Sequence, residues 1–502
     1  MTSPSLTDMP TPQAALGDLP IPPGPRGPRR FRFQANLIKD TMQPMVDMSL
    51  EWGEVSSMRT RGRDLVIVAG HEQAKQVLIT DQDNYEKGAE YDLLRILLGD
   101  GLLTNGGDPW RHQRTLVQPM FAKRYLKNFT AHMTGATADA LENGPLADTP
   151  DGETLDVAEA MMALTLDVVG RALFGADLSG ETARRVGPAM SDALHLGTRM
   201  ARRPSTFLAT KLPGYDLEKA MKLNPESRRF ERSLDELRAV IDDLLDEREK
   251  NGEPGEDLLG LMLSARDEET GEGMSRKQIG YELMTFMLAG HETTANALAW
   301  TWRNLSLNPA AREQLFEEVD TVLGDRIPTM DDVDLLPWTK ACVEESMRLN
   351  PPVWAVGRRP FEDARVGDFR VPKNSAVFVL IAMIHRDPKI WENPEGFDPR
   401  RFLPENSKDR PRHAYLPFGA GRRVCVGQTF AMVEAVLLTA MIARKLAFDL
   451  PRGSKVRPEA AITLRPKGGL PMNMIRRSVE PALPGVDDAG IEPEEARCPV
   501  PH

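Results

Sequence analysis

The chain has 502 residues, 41% hydrophobic and 27% charged, an ordinary balance for a globular protein large enough to enclose a cofactor. Its formal net charge of −11 argues against nucleic-acid binding. Three scattered cysteines, Cys342, Cys425 and Cys498, exclude a disulfide framework or a four-thiolate cluster, so any special cysteine acts alone.

Residues 1–30 are rich in proline and polar side chains and lack an apolar signal core. They are expected to be a flexible lead-in on a cytoplasmic protein. No stretch approaches the roughly 18 apolar residues of a membrane span. Residues 31–475 read as one folded domain without a linker. In WRHQR, Trp110 and Arg114 lie four apart on one helical face. From Ser233, SLDELRAVIDDLLDEREK places Leu234, Leu237, Ile241, Leu244 and Leu245 together, which predicts an amphipathic helix.

From Gly280, GYELMTFMLAGHETTANALAWTWRNLSL is apolar on nearly every side, which predicts a helix buried through the protein's middle. Polar residues there need partners or a purpose. Threonine hydroxyls can bond back to a carbonyl one turn earlier and bend the helix. Gly290, with no side chain, lets the helix pass close to a bound group. His291-Glu292 begins like a zinc-peptidase motif, but position 295 is alanine, so a two-histidine zinc face is excluded. His291 is expected at the edge of a pocket.

Glu345 and Arg348, three apart, can pair on a helix. Segments 361–383 and 460–474 read as short strands and turns. The whole is mainly helical with a small sheet component. From Phe418 runs FGAGRRVCVG, followed at once by the apolar helix QTFAMVEAVLLTAMIARK. Gly419, Gly421 and Gly427 let the backbone turn tightly and approach a flat group. Helix N–H groups beyond Cys425 favour a thiolate. A buried cysteine in a plain glycine-rich turn is the ordinary alternative. Residues 476–502 form an acidic, proline-rich stretch expected to be a disordered tail, with Cys498 a bystander.

Phe418, Gly421, Arg423, Cys425 and Gly427 together resemble the cysteine signature of the cytochrome P450 family. The other motifs follow in that family's order. The resemblance implies the α-rich P450 fold around haem b, with Cys425 as the metal ligand. It also implies that Trp110, Arg114, Arg423 and either Arg358 or its neighbour Arg359 hold the haem propionates. Phe418 and Gly290 would lie against the haem. Glu292 and Thr293 match the family's acid–alcohol pair, which relays protons during oxygen activation. Glu345, Arg348 and Arg401 match its buried triad, a structural lock.

The function so implied is a monooxygenase that inserts one atom of O2 into a hydrophobic substrate, plausibly a fatty acid or terpenoid. The family's substrate walls fall on apolar residues such as Leu93, Leu94, Leu97, Leu98, Phe286 and Leu464. Too few residues follow the cysteine loop for a flavin or nicotinamide domain, so a separate ferredoxin or flavodoxin with its reductase is expected. Arg111, Lys123, Arg124, Lys127, Arg410, Arg412 and Arg422 would offer it a basic face. A monomer is expected. Two alternatives stand beside this reading: a peroxide-using or isomerising haem-thiolate enzyme, and a non-catalytic haem-binding sensor. Glu292-Thr293 favours the oxygen-dependent one.

Overall fold

A computed structural model describes residues 15–477 except 61–62, 176–180, 210–215 and 253–254. Helices dominate: α1 (Gly27–Lys39), α2 (Met42–Trp52), α3 (Asp92–Leu98), α4 (Gly107–Val117), α5 (Lys123–Glu142), α6 (Val157–Phe174), α7 (Glu181–Arg202), α8 (Ser227–Asn251), α9 (Arg276–Leu307), α10 (Pro309–Leu323), α11 (Pro337–Leu349) and α12 (Gln428–Lys445), with shorter turns between. The 32-residue α9 is the central one, buried on nearly every side as its composition requires. Among the described elements it packs most extensively on α6. Ser275 caps its first turn, accepting from the Gln278 N–H. In α8, Leu234, Leu237, Ile241 and Leu245 are buried and Leu244 half-buried, so the periodic face is the packed one.

The strands are few and short. β1 (Val55–Thr60), β2 (Arg63–Val68), β3 (Tyr85–Glu86), β5 (Val356–Pro360) and β8 (Ala376–Val379) form one sheet in the order β1-β2-β8-β5-β3. Only the β2–β8 pair is parallel. β4 (Thr154–Asp156), β9 (Leu446–Asp449) and β12 (Pro471–Arg476) make a second sheet. Two hairpins, β6 (Ala364–Val366) with β7 (Phe369–Val371) and β10 (Pro458–Ala460) with β11 (Leu464–Pro466), complete the set. Among the described residues no helix is long and apolar enough to cross a membrane.

The expected boundaries shift at both ends. From residue 15 the proline-rich lead-in is docked. The Ser57 hydroxyl donates to the Pro22 carbonyl at 2.6 Å, its N–H to Pro23 at 2.7 Å, and the Arg370 N–H to Pro20 at 2.9 Å. Proline lacks a donor but keeps its carbonyl, so it serves at an edge that only needs to accept. α1 then starts at Gly27, with Pro28 in its first turn, where a missing N–H costs nothing. At the other end β12 continues through Arg476, and the Arg477 N–H donates to Lys445 at 2.9 Å. Residues 1–14 and most of the expected tail, with Cys498, lie outside the described residues.

Candidate haem-thiolate centre

The cysteine loop closes on itself. The Cys425 N–H donates to the Phe418 carbonyl at 3.0 Å, and the Val424 N–H to Gly421 at 3.1 Å. Gly421 has φ +70°, and a Cβ there would stand 1.9 Å from the Leu78 carbonyl oxygen, so only glycine fits. Cys425 has exposed surface, yet protein surrounds it closely enough for burial to push its thiol up. The Gly427 N–H and the Arg114 charge pull the other way without prevailing.

A cluster of cations gathers beside this loop. Arg423 stacks on the Trp110 indole, 3.7 Å from its centroid, and donates to the Asn105 carbonyl at 2.9 Å. Arg114, one turn beyond Trp110 in α4, donates to the Val424 carbonyl at 2.9 Å. Arg358 is buried and faces Arg423, while Arg359 points outward to Glu86. Alternation along β5 thus turns Arg358 toward Arg423 and Arg359 away from it. Burial, then repulsion from Arg423 and Arg358, pushes the Lys87 ammonium well below its ordinary range. Burial and the neighbouring Arg358 lower the Arg423 guanidinium to about 10. Glu90, whose own carboxyl is pushed up by burial, is the carboxylate among them.

Lys87 was missed in the sequence. It stands in NYEKGAEYDLL, a stretch assigned to substrate walls. The available signal was a lone lysine in an acidic and apolar run.

On α9, Phe286, Ala289, Gly290 and Thr293 are only half-buried while their neighbours are buried, which marks one stripe at helical spacing. Phe286 meets Phe121 edge-on at 5.6 Å and shares an apolar cluster with Trp110 and Val426, so this stripe and the cysteine loop belong to one centre. The Thr293 hydroxyl donates to the Ala289 carbonyl at 2.5 Å. Glu292 turns elsewhere: its Oε1 accepts from the Thr463 hydroxyl at 2.7 Å, and its Oε2 has no partner among the described residues. Acid and alcohol are adjacent in sequence but point apart.

A Cβ on Gly290 would stand 2.9 Å from Val169, so packing against α6 already demands glycine there. His291 is not at a pocket edge. It is buried against α6, and burial lowers its imidazole to about 4.

The triad is assembled as expected. Glu345 and Arg348 are fully buried and joined by two bonds of 2.7 and 2.8 Å, with Arg401 at 3.4 Å. The basic face survives only in part. Arg111, Lys127 and Arg422 are paired with Asp108, Asp331 and Asp83, and Arg410 lies over Trp391 and Phe402. Lys123, Arg124 and Arg412 are exposed, and no ion pair is recorded for them among the described residues.

The Cytochrome P450 family profile matches residues 22–471. The chain belongs to the cytochrome P450 family. It is 37% identical over 432 residues to the "Putative cytochrome P450 132" of Mycobacterium tuberculosis, covering 84% of this chain and 90% of that one. It is 31% identical over 396 residues to the cyclooctat-9-en-7-ol 5-monooxygenase of Streptomyces melanosporofaciens, covering 78% and 82%. The crystal structure of the cytochrome P450DA heme domain superposes with a TM-score of 0.79 at 28% identity, over 91% of this chain and 98% of that one.

This P450 is therefore a monooxygenase whose cofactor is haem b, and its residues fit that group. Arg114, Arg358 and Arg423, with the Lys87 amine beside them and Glu90 as their acid, make a donor set suited to the two haem carboxylates. When bound, the haem supplies oxygen activation, which a thiolate ligand promotes.

Proposed function

We propose that this P450 hydroxylates or otherwise oxygenates a hydrophobic substrate of the fatty-acid or terpenoid class, with Cys425 as the haem's protein ligand. Its electrons would come from a separate ferredoxin or flavodoxin and its reductase, and it would work as a monomer. The observation that carries the reading is the cation cluster around Trp110 and Arg423, set beside Cys425 and joined to the Thr293 stripe by one apolar cluster. Trp110, Arg114, Arg358, Arg423 and Lys87 would hold the propionates, with Phe418 shaping the loop. Gly290 and Thr293 would border the reacting space, and Glu292 would supply protons. Lys123, Arg124 and Arg412 support an acidic partner at the proximal face.

A hydrophobic substrate is supported by the apolar, half-buried Leu93, Leu94, Phe286, Val353 and Val356. A cleft of about 940 Å3 between α3, α8 and α9 is lined by Leu97, Met221, Phe230, Leu234 and Met284 but by none of the residues around Cys425.

A carbon-monoxide difference spectrum of the reduced protein tests the ligand. The thiolate-shifted Soret band is expected in the wild type and absent in Cys425→Ala, and a persisting band in the variant would refute the assignment. Product formation with NADPH and surrogate ferredoxin partners, and not with peroxide alone, is expected of an O2-dependent monooxygenase. A panel of fatty acids and terpenoids, scored by spin-state shift, tests the substrate class.

A further inference from the structure

Thr463 sits in the turn between β10 and β11 and is buried, as are Glu292 and Asn296. Its hydroxyl donates to Glu292 Oε1 at 2.7 Å and accepts from Asn296 Nδ2 at 3.1 Å. Glu292, Asn296 and Trp300 recur every four residues on α9, and the Trp300 indole donates to the Leu464 carbonyl at 2.9 Å. One stripe of α9 therefore clamps this turn. Two residues after Thr463, Arg465 stands on β11, pairs with Glu459 of β10 at 2.9 Å, and lies 3.5 Å from His195 of α7. The Arg465–Glu459 pair is partly solvent-exposed, and its guanidinium is close enough to act on Glu292 electrostatically.

We infer that Thr463, held by Asn296, is the positioning residue of Glu292, so that the β10–β11 turn fixes which carboxyl oxygen is engaged and which is left open. The inference rests on Glu292 as the acid of the oxygen-activation relay. Asn296 donates to the Thr463 oxygen and so aims the hydroxyl proton at Glu292 Oε1. The unpartnered Oε2 leaves Glu292 free to hand a proton onward from its other oxygen. Burial holds the carboxyl above its usual range, consistent with a group that carries a proton.

The test compares wild type, Thr463→Val, which keeps the shape without the hydroxyl, and Thr463→Ser, which restores it. Infrared difference spectra between acid and alkaline pH, taken on the resting protein, should contain a carboxyl band that disappears in Glu292→Gln. That band should move to higher frequency in Thr463→Val and return in Thr463→Ser. With surrogate redox partners, Thr463→Val should divert severalfold more electrons to peroxide, and Thr463→Ser should recover coupling. An unmoved band in Thr463→Val, or no band sensitive to Glu292→Gln, overturns the inference. A wild type without the thiolate-shifted carbon-monoxide band would instead overturn the haem-thiolate reading. A shifted carboxyl band with unchanged coupling in Thr463→Val would also overturn the inference, since the positioning of Glu292 would then not serve the relay.

Discussion

Two regions of this P450 bury charge in opposite ways. Around α11, Glu345 is met by both arms of its bond with Arg348 and by the Asp398 N–H at 2.8 Å, with the Arg401 charge 3.4 Å away. Arg348 spends its remaining donors on the carbonyls of His385, Pro394 and Gly396. Around α9 and the cysteine loop, compensation is incomplete. Lys87 stands among cations, Glu292 keeps one oxygen without a partner, and Glu282 has one bond, from the Leu102 N–H at 2.9 Å. Glu434, wholly buried in α12 beside Thr294, is held far above the carboxylate range by burial. A closed network holds structure in place, whereas unspent charge and protons mark where a cofactor's carboxylates and a reaction's protons can be received.

The contrast is broken most severely at Glu345. Glu345→Ala leaves Arg348 buried and unpaired, a loss of about 3–5 kcal/mol, against a total stability of about 5–15 kcal/mol. Soluble yield should collapse, and a urea midpoint close to wild type would show that the lock is not structural.

Glu282 gives the next effect, and its sign is fixed by burial. Its carboxyl is raised from 4.5 to about 7. Between those values the folded protein holds a proton that the unfolded chain has released, so this group's contribution falls as pH rises through the window and is fully unfavourable above about 7. Glu282→Gln should gain up to about 3 kcal/mol over wild type at pH 8 and little at pH 4. Urea unfolding at both pH values measures the difference, and equal gains at the two would refute the assignment.

Removing a cation from the open cluster should act on cofactor retention rather than on the fold. Lys87→Met should weaken haem binding by about 1–3 kcal/mol without lowering the urea midpoint of the haem-free protein. Haem transfer to apomyoglobin reports the first quantity, and a normal transfer rate would remove Lys87 from the propionate set. Smallest in stability is Thr293→Ala, which loses one helix back-bond and about 1 kcal/mol or less. It should keep its carbon-monoxide spectrum and lose coupling of electron use to product. Unchanged coupling would exclude Thr293 from the relay.

The legible parts were those whose partners are close in the chain. The cysteine loop announces itself because the glycines and Cys425 must lie within a few residues to make the turn. The helical Glu345–Arg348 pair and the all-round apolar α9 are legible for the same reason. Lys87 was not, because the like charges that crowd it, Arg358 and Arg423, lie about 270 and 340 positions away. The docking of the lead-in prolines was hidden too, since their acceptor role depends on Ser57 and Arg370.

The sequence alone determined the family, the ligand candidate and the helices from Ser233, from Gly280 and after Gly427, because short-range spacing is enough to specify turns and buried faces. Which way the charged side chains turn was decided only by tertiary packing. Arg358 faces inward and Arg359 outward through the pleat of β5. Glu292 leaves Thr293 for Thr463 because adjacent residues on a helix diverge by about 100°, and the β10–β11 turn brings a hydroxyl 171 residues away to meet it.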